Sequence, residues 1–359
     1  MSAAALPRSM RAVALTGFGG PDRLALVDLP VPEPADDEVL IAVHTVAANR
    51  QDTFTMAGRA QARHPVPLPH VPGIDPAGVV VARGGSVVRP DLGERVVVKP
   101  AIACHRCRTC RAGEDDACPD AVNVGVHRPG GMAEYVSVPA SNVFPIPPNL
   151  SFAAATAIAH SFPVALQMIR DRARLEPGET MLVTSAAGAI GSAAVQLGRL
   201  LGARVIAAAG GDDRVAYVRT LEPDAVIDYR ARPAFGAAVR ELVPAGVDLY
   251  VESAGDPQIW REALSALGRK GRAVVCGSHA GGRVEVDLNW LFRNRISILG
   301  ASGSSVRTMR EVIDLAGAGR IEPNIHTVLP LERAREAFEI LLRRENRGKV
   351  VLRVRPDDR

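Results

Sequence analysis

Hydrophobic and polar residues alternate in short runs over the first 150 residues of the chain. Glycine and proline bound these runs, which is the pattern of β-strands separated by turns. The predicted strands are RAVALT, VLIAVHTVAA, AGVVVARG, ERVVVKP and AEYVSVP. The pattern therefore predicts a β-rich domain in this part of the chain.

The pattern changes at Leu150, after which helical and strand-like runs follow one another. The apolar stretch from Phe152 to Ile169 contains His160, Pro163 and Gln167, which favours a buried helix over a membrane span. Further helices are predicted for IGSAAVQLGRLLG, DDRVAYVRTL, TMREVIDLAGAG and VLPLERAREAFEILLRRE. Strands are predicted for ETMLVTSA, ARVIAAA, DAVIDY, VDLYVES, RAVVCG and GKVVLRV. Such alternation predicts βαβ units around a parallel sheet, and hence an α/β fold.

Length and charge narrow the class of protein. A chain of 359 residues is too long for one ordinary core, so two domains are expected. The net charge of +4 is spread along the chain, which does not favour nucleic-acid binding. The first residues, MSAAALPRSM, contain no apolar run of signal-peptide length. We therefore expect a soluble, cytoplasmic protein that contacts neither nucleic acid nor membrane.

Four of the five cysteines, Cys104, Cys107, Cys110 and Cys118, fall within the run CHRCRTCRAGEDDACPD. Four thiolates at this spacing can surround one Zn²⁺ in a closed tetrahedral site, which leaves no position for a substrate. An iron–sulfur cluster is the alternative, because Pro119 follows the last cysteine as in bacterial ferredoxins. The seven-residue gap before Cys118 argues against it. The run predicts a structural zinc.

A tight turn between ETMLVTSA and IGSAAVQLG has the composition of a phosphate-binding loop. A helix that begins at such a turn offers backbone N–H groups and the positive end of its dipole to a pyrophosphate. Only the last two glycines of the dinucleotide pattern are present, so a turn without a ligand is the alternative. The candidate residues are Ser185, Gly188, Ala189, Ile190 and Gly191.

The end of the second predicted strand of this domain bears on the choice of cofactor. An NAD site usually has an acidic residue there, whereas this strand runs into Gly210 and Gly211. Arg214 follows and would suit a 2′-phosphate. Asp212 and Asp213 argue for NADH unless they cap the next helix, the role we expect for them. We predict NADPH, with NADH as the alternative.

Along nearly its whole length the chain resembles the medium-chain dehydrogenase/reductase superfamily. The β-rich domain, the cysteine loop, the AxxGxxG-type turn, the junction VGVHRPGGMAEYVSVPASNVFPIPPNLSFAAAT and the closing RGKVVL occur in the expected order. The resemblance implies a GroES-like catalytic domain over 1–153, a Rossmann domain over 154–302, and a C-terminal segment, 303–359, that returns to the first domain. It also implies cofactor contacts from Tyr229, Ser253, Cys276, Gly277 and Lys349.

The zinc alcohol dehydrogenases of this superfamily hold a catalytic zinc that this chain does not match. Asn49 stands where a cysteine is expected, three residues before Asp52. Ile74 and Asp75 replace the histidine and glutamate of a Gly-His-Glu motif, and Ala159 lies near the third ligand position. A zinc site needs three protein ligands or more, so the resemblance implies no catalytic zinc here.

Asn49 followed by Arg-x-Asp resembles the quinone oxidoreductase branch, which reduces quinones, enones and other activated double bonds with NADPH. Such reactions need no metal, because the developing charge is delocalised and a hydrogen-bond donor suffices. The catalytic candidates are Asn49, through its side-chain amide or else as a satisfied turn residue, and Asp52 as a supporting carboxylate. Arg59, His64, His70 or water are candidate proton donors.

Two other functions stay open at this point. One is a zinc-dependent alcohol dehydrogenase with unusual ligands drawn from His70, Asp75 or His160. The other is a cofactor-binding scaffold without activity. The resemblance also implies an oligomer formed through the edge strand of the cofactor domain. RISILGAS would be an apolar edge, so we expect a homodimer.

Overall fold

The computed structural model describes residues 6–59 and 65–356. The candidate proton donor His64 lies outside the described residues. The chain divides into two compact units. The first, unit 1, comprises Met1–His160 and Ser305–Arg359, and the second, unit 2, comprises Ser161–Ser304. The sequence prediction places the two boundaries at 153/154 and 302/303.

The first segment of unit 1 is rich in strands. The strands are β1 (Ser9–Leu15), β2 (Leu24–Pro30), β3 (Glu38–Ala48), β4 (Ala77–Arg83), β5 (Arg95–Val98), β6 (Ala101–Ile102), β7 (Val122–Asn123), β8 (Tyr135–Pro139) and β9 (Val143–Pro145). The helices are α1 (Arg50–Met56), α2 (Arg108–Arg111) and α3 (Phe152–Ala159). Every residue of β3 is buried, because this strand lies inside its sheet and packs on both faces. The predicted β-rich domain is confirmed.

Unit 2 alternates helices and strands. Its helices are α4 (Ser161–Leu166), α5 (Ala189–Leu200), α6 (Asp212–Arg219), α7 (Phe235–Leu242), α8 (Pro257–Ser265) and α9 (Leu288–Asn294). Its strands are β10 (Thr180–Val183), β11 (Arg204–Ala209), β12 (Ala225–Asp228), β13 (Val247–Glu252), β14 (Leu267–Val275) and β15 (Ser297–Gly300). All pairings are parallel, in the order β12–β11–β10–β13–β14–β15. This doubly wound order confirms the predicted Rossmann sheet.

The final segment completes the sheet of unit 1. It contains α10 (Val306–Gly317), β16 (Ile325–Pro330), α11 (Ala334–Leu342) and β17 (Lys349–Arg353). The sheet order is β16–β17–β3–β4–β5–β9, with β8 also paired to β3. Since β17 runs antiparallel to β3 with Val350 opposite Ala48, the register brings Lys349 beside Asn49.

Several predicted elements have different bounds in the structure. The single helix predicted from Phe152 to Ile169 is interrupted at His160, where α3 ends. Residues 328–330 of VLPLERAREAFEILLRRE lie in a strand, and the helix begins only at Ala334. The sequence pattern predicts none of the helices α1, α2, α7, α8 and α9. Short amphipathic helices produce only a weak periodicity in the sequence. Proline fits both the last position of an edge strand and the start of a helix, so Pro330 does not distinguish the two.

Among the described residues, the helical stretch Phe152–Arg172 has the length and mean hydropathy, 1.4, to cross a membrane. However, 89% of its most apolar window is buried within the protein, as in the core helix of a folded domain. The prediction of a buried helix is therefore confirmed for this stretch.

Candidate active site

Asn49 and Asp52 lie at the start of α1, where β3 ends. Asn49 is the N-cap residue, and Asp52 accepts a hydrogen bond from the Asn49 backbone N–H through Oδ2, at 2.9 Å. Its Oδ1 accepts from the backbone N–H of Gly73, at 3.1 Å. Asp52 therefore closes a capping box and ties the loop at Gly73 to the helix. A supporting role in the site for this carboxylate stays a prediction.

A buried polar cluster forms where β17 meets the end of β3. Asp75 accepts from the backbone N–H of Ala47 at 3.0 Å, from Asn49 Nδ2 at 3.1 Å and from Lys349 Nζ at 2.8 Å. Lys349 Nζ also donates to Asn49 Oδ1. Asp75 is fully buried and Lys349 is 3% exposed. An ion pair this deep is stable only when its remaining hydrogen-bonding groups are also satisfied.

Burial shifts two pKa values in this cluster in opposite senses. It raises the pKa of Asp52 to about 7, and the nearby negative charge of Asp75 adds to the rise. It lowers the pKa of His160 to about 4, assisted by the positive charge of Lys349. At neutral pH the imidazole of His160 is therefore uncharged, and Lys349 supplies the positive charge.

The cluster uses the side-chain amide of Asn49 internally. One Nδ2 hydrogen goes to the Ala47 carbonyl at 3.1 Å and the other to Asp75. The predicted alternative of a satisfied turn residue describes this geometry. Lys349, predicted as a cofactor contact, was not expected beside Asn49. The two residues are 300 positions apart, so their contact produces no local sequence pattern. The one available signal was that each residue lies at the end of a predicted strand.

The other candidate proton donors are not part of this cluster. His70 is buried and its Nε2 lies 3.0 Å from the Gly125 carbonyl oxygen. The Arg59 guanidinium lies 5.5 Å from the centre of the Phe54 ring. The set proposed for an unusual zinc site, His70, Asp75 and His160, does not bring its ligand atoms together within the described chain.

The four cysteines do converge. Their Sγ atoms all lie within 4.8 Å of one another, and Cys107 Sγ is 3.9 Å from Cys118 Sγ. A tetrahedral zinc with Zn–S bonds of about 2.3 Å needs sulfur atoms about 3.8 Å apart, so the set fits this ion. The hydroxyl of Thr109 lowers the pKa of Cys107 to about 6. Burial and the neighbouring Cys107 raise the pKa of Cys110 to about 12. A divalent cation would favour the thiolate form of both cysteines, because a thiol loses its proton when it binds a metal ion.

The cysteine loop is joined to α10 through one carboxylate. Asp115, between the third and fourth cysteines, accepts from the Val306 backbone N–H at 3.0 and 3.2 Å. It also pairs with Lys99, which is 1% exposed, at 3.0 Å. Lys99 donates in addition to the Ala101 carbonyl at 2.9 Å. The cysteine loop thus holds the first N–H of a helix that begins just after the chain returns from unit 2.

In unit 2 the predicted phosphate turn lies between β10 and α5. Ser185 has a positive φ of 51°, and Gly188 is the N-cap of α5. The first backbone N–H groups of a helix have no acceptor within the helix, and Gly188 has no side chain that could accept from them. A methyl group at Gly191 would lie 2.8 Å from Ala186 Cα, so only glycine fits. Gly188, Ala189, Ile190 and Gly191 therefore form a backbone cradle suited to a pyrophosphate.

The loop after β11 is glycine because two side chains from the end of β12 cover it. A methyl group at Gly210 would lie 2.9 Å from Tyr229 Cζ and 3.1 Å from Arg230 Cγ. At Gly211, whose φ is 92°, it would lie 3.3 Å from Arg230 Nη1. The sequence predicted Tyr229 here but not Arg230. The sequence signal for Arg230 was its position, a basic residue close after the third predicted strand of this domain.

The acidic residues around this loop have local roles. Asp212 and Asp213 occupy the first turn of α6, whose N-cap is Gly211, so the prediction that they cap the helix is wrong. Their place is the first turn because the left-handed φ of the cap position favours glycine. Asp228 Oδ1 accepts from the backbone N–H of Gly211 at 3.1 Å and of Arg230 at 2.8 Å. Arg214 lies in the same first turn.

The remaining cofactor candidates follow β13 and β14, at the same edge of the sheet. Ser253 begins the loop after β13, and Cys276 and Gly277 follow β14. Glu252, fully buried, accepts from the Gly255 N–H at 2.9 Å and from the Ala254 N–H, which fixes the Ser253 loop. Burial raises the pKa of Cys276 to about 11, which disfavours a reactive thiolate. All candidates in unit 2 thus lie at the carboxyl ends of parallel strands, where such sheets bind nucleotides.

Two family models match the chain. The alcohol dehydrogenase GroES-like domain matches residues 35–148, and the zinc-binding dehydrogenase model matches residues 189–318. Among curated proteins, the chain is 30% identical to quinone oxidoreductase-like protein 2 of Bos taurus, over 92% of this chain and 89% of the relative. It is also 30% identical to L-threonine 3-dehydrogenase of Rhizobium etli, over 92% of this chain and 94% of the relative.

Solved structures give the same likeness. An NAD-dependent alcohol dehydrogenase is 37% identical with a TM-score of 0.91, over 96% of this chain and 100% of the other. A 2-octenoyl-CoA carboxylase reductase in complex with NADP and 2-octenoyl-CoA is 25% identical with a TM-score of 0.89, over 98% and 89%. These matches confirm the predicted pairing of a GroES-like domain with a Rossmann domain.

Proposed function

Because the chain belongs to the medium-chain dehydrogenase/reductase superfamily, we propose that it is an NADPH-dependent oxidoreductase that reduces the activated double bond of an enone or enal, or a quinone, without a catalytic metal. One observation carries the proposal. At the zinc-ligand positions implied by the resemblance stand Asn49, Ile74 and Ala159, and the one carboxylate nearby, Asp75, is paired with Lys349. The chemistry must therefore proceed with hydrogen-bond donors.

Conjugate reduction suits such a site better than reduction of an isolated ketone. Without a Lewis acid, an alkoxide forming from a ketone lacks its main source of stabilisation. An enolate or a quinol anion spreads the same charge over several atoms, so a positioned donor suffices. A bound dihydronicotinamide supplies the hydride. In this proposal Asn49 and Asp52 are positioning residues that hold the buried cluster in place.

The preference for NADPH rests on the end of β11. The two residues directly after that strand are Gly210 and Gly211, and the carboxylates Asp212 and Asp213 come only in the next helix. Arg230 lies over the two glycines, and Arg214 lies in the first turn of that helix. Two guanidinium groups suit the 2′-phosphate of NADPH. The turn Gly188–Gly191 would hold the pyrophosphate. The relative bound to NADP favours this choice, and the relative named NAD-dependent favours NADH.

The first experiment is a turnover assay on purified protein with enones, enals, quinones and secondary alcohols, each with both cofactors. We expect reduction of enones or quinones with a higher kcat/KM for NADPH than for NADH. Faster turnover with NADH would overturn the cofactor assignment. Tight NADPH binding without turnover on any substrate would favour a scaffold instead of an enzyme.

The rival function is a zinc-dependent alcohol dehydrogenase, and one similar structure is named an alcohol dehydrogenase. Metal analysis separates the two proposals. We expect one zinc per chain, bound by Cys104, Cys107, Cys110 and Cys118. Two zinc ions per chain with oxidation of secondary alcohols would support the rival and contradict a metal-free reaction.

We extend the proposal to assembly and location. The edge strand β15 pairs only with β14 among the described strands, and Ile298 on it is 39% exposed. A second copy pairing with this edge would give a homodimer. The five cysteines are free thiols in the structure, and zinc thiolates persist in a reducing compartment, so we place the protein in the cytoplasm.

A further inference from the structure

The cluster at Asn49 leaves a single positively charged donor. Both amide hydrogens of Asn49 are donated, one to the Ala47 carbonyl and one to Asp75, and its Oδ1 accepts from Lys349. Its side chain therefore cannot also donate to a substrate oxygen without breaking a buried hydrogen bond, which costs about 1–3 kcal/mol. The donor that the proposed reaction needs must come from another group.

Lys349 has the capacity that Asn49 lacks. An ammonium group carries three hydrogens, and the structure gives two of them acceptors, Asn49 Oδ1 and Asp75 Oδ2 at 2.8 Å. Within residues 6–59 and 65–356 no acceptor is assigned to the third. The side chain is 3% exposed. A buried ammonium hydrogen without an acceptor is costly unless a ligand accepts it.

We propose that the third N–H of the Lys349 ammonium group donates to the substrate carbonyl or quinone oxygen and stabilises the negative charge that develops there. This inference rests on the proposed function and names a catalytic residue for it. The ammonium group would take over the electrostatic role of the catalytic zinc that the resemblance associates with this region of the fold.

The surrounding bonds hold the ammonium group in place before the reaction. Asp75 is fixed by the Ala47 N–H at 3.0 Å and by Asn49, and Asn49 is fixed in turn by Asp52. A charge oriented in advance stabilises a transition state without the cost of reorganising solvent. His160 does not compete as a cation, because burial and Lys349 keep its pKa near 4.

The electron balance for an enone is simple. A bound dihydronicotinamide would supply the hydride, which forms a C–H bond at the β-carbon. The π pair of the C=C bond then forms the C=C bond of the enolate, and the π pair of the carbonyl moves to its oxygen. The product is an enolate hydrogen-bonded to Lys349, together with the oxidised cofactor. Lys349 keeps its proton, and water supplies the proton that later adds to the α-carbon. No further oxidant or reductant is required.

The test compares Lys349→Met with Lys349→Arg in the full-length protein. Removing a positioned oxyanion donor lowers kcat by about 10²–10³-fold in known enzymes, and we expect a fall of that size for Lys349→Met. Lys349→Arg should recover at least tenfold of it. The Kd for NADPH, measured by nicotinamide fluorescence, should change less than about threefold. An equal rise in that Kd with unchanged kcat would show a cofactor contact instead and overturn the proposal.

A series of ring-substituted aryl enones separates a chemical role from a structural one. Without the donor, the substrate must stabilise its own charge, so the rate of Lys349→Met should depend more steeply on electron-withdrawing substituents than the wild-type rate. A general loss of structure would lower every rate by the same factor. Parallel slopes would therefore contradict a direct role for the ammonium group.

Two further proteins guard against misfolding. Lys349→Met leaves Asp75 unpaired, so the double variant with Asp75→Asn removes both charges and should show the same loss of kcat. Lys99→Met removes the other buried lysine of unit 1, which pairs with Asp115, and should keep kcat. If wild-type protein reduces enones and Lys349→Met equals it, this inference fails alone. If wild type reduces none of the substrates, the proposed function fails with it.

Discussion

Asp52 and His160 affect stability in opposite directions across the same pH range. The pKa of Asp52 is raised from 3.8 to about 7, so its stabilising contribution is complete below pH 3.8 and is lost as pH rises towards 7. The pKa of His160 is lowered from 6.5 to about 4, so its contribution is complete above pH 6.5 and is lost as pH falls towards 4. In the wild-type protein the two effects largely cancel.

Single substitutions should expose each effect. We expect the urea midpoint of Asp52→Asn to rise between pH 4 and 6.5, because only His160 then titrates in the cluster. The midpoint of His160→Asn should fall between pH 4 and 7. The groups that face Asp52 are the backbone N–H groups of Asn49 and Gly73 and the charges of Asp75 and Lys349. Wild type, the two single variants and the double variant all retain these groups. The double variant should give the flat profile, and wild-type slopes in both single variants would contradict the shifts.

Arg230 should set the preference between the two nicotinamide cofactors. A charge-assisted hydrogen bond contributes about 1.5–3 kcal/mol, so Arg230→Ala should raise the KM for NADPH by at least about tenfold. The KM for NADH should stay within twofold, since NADH lacks the 2′-phosphate. Steady-state kinetics with both cofactors measures this directly. Arg214→Ala is the matched control from the next helix, and a larger effect there would assign the phosphate to Arg214 instead.

For single residues, the sequence predicted which positions belong to the candidate site better than it predicted their hydrogen-bond partners. The residue spacing around Asn49 and Asp52 was enough to identify a region without zinc ligands. Their hydrogen bonds to Gly73 and Lys349 depend on how distant strands pair, and register is not visible in a single segment. Arg230 was missed for the same reason, because its place over Gly210 follows from the pairing of β11 with β12.

At the scale of elements, the cysteine loop and α10 form one structural unit through Asp115. If zinc orders the loop, its loss should free the Val306 N–H that Asp115 holds. We expect Cys110→Ser to lower the zinc content from one ion per chain to nearly none. Amide hydrogen exchange at the start of α10 should rise at least tenfold, as measured by mass spectrometry. The kcat per folded molecule should change little, since the loop contains no proposed catalytic residue.

Cys276→Ser is the control, because Cys276 lies in unit 2 and outside the cluster of four cysteines. It should keep one zinc and the wild-type exchange rate at Val306. Equal exchange at α10 in zinc-bound and zinc-free protein would show that Asp115 holds the helix without the metal. That result would limit the zinc to the loop itself.

The elements that the sequence predicted well are those whose environment is uniform along their length. Strands such as β3 and β11 are buried almost throughout, so continuous apolar runs marked them. The segment Ile325–Pro330 has a mixed pattern, because its strand lies at the edge of the sheet and is half exposed. Its neighbour β17 supplies the hydrogen bonds that make it a strand, and that pairing spans the intervening helix α11.

For the whole molecule, the open question of assembly centres on one edge of unit 2. The strand β15 ends the parallel sheet with Ile298 39% exposed, and on α9 Leu288 and Phe292 are 71% and 61% exposed. An exposed strand edge beside exposed apolar side chains is costly for a monomer and is commonly covered by a second copy. We therefore expect a mass about twice that of the 38.0 kDa chain by light scattering.

A charge on the edge strand should prevent this association. Ile298→Lys would place a buried, unpaired ammonium group in a symmetric interface, where each copy contributes the same substitution. We expect the variant to elute as a monomer at concentrations where wild type is a dimer, with its unfolding still cooperative. Leu342→Lys is the matched control, because Leu342 is an apolar residue of unit 1 with a comparable exposure of 47%, and this variant should stay dimeric. Monomeric wild-type protein, or a dimer that survives Ile298→Lys, would remove β15 as the contact.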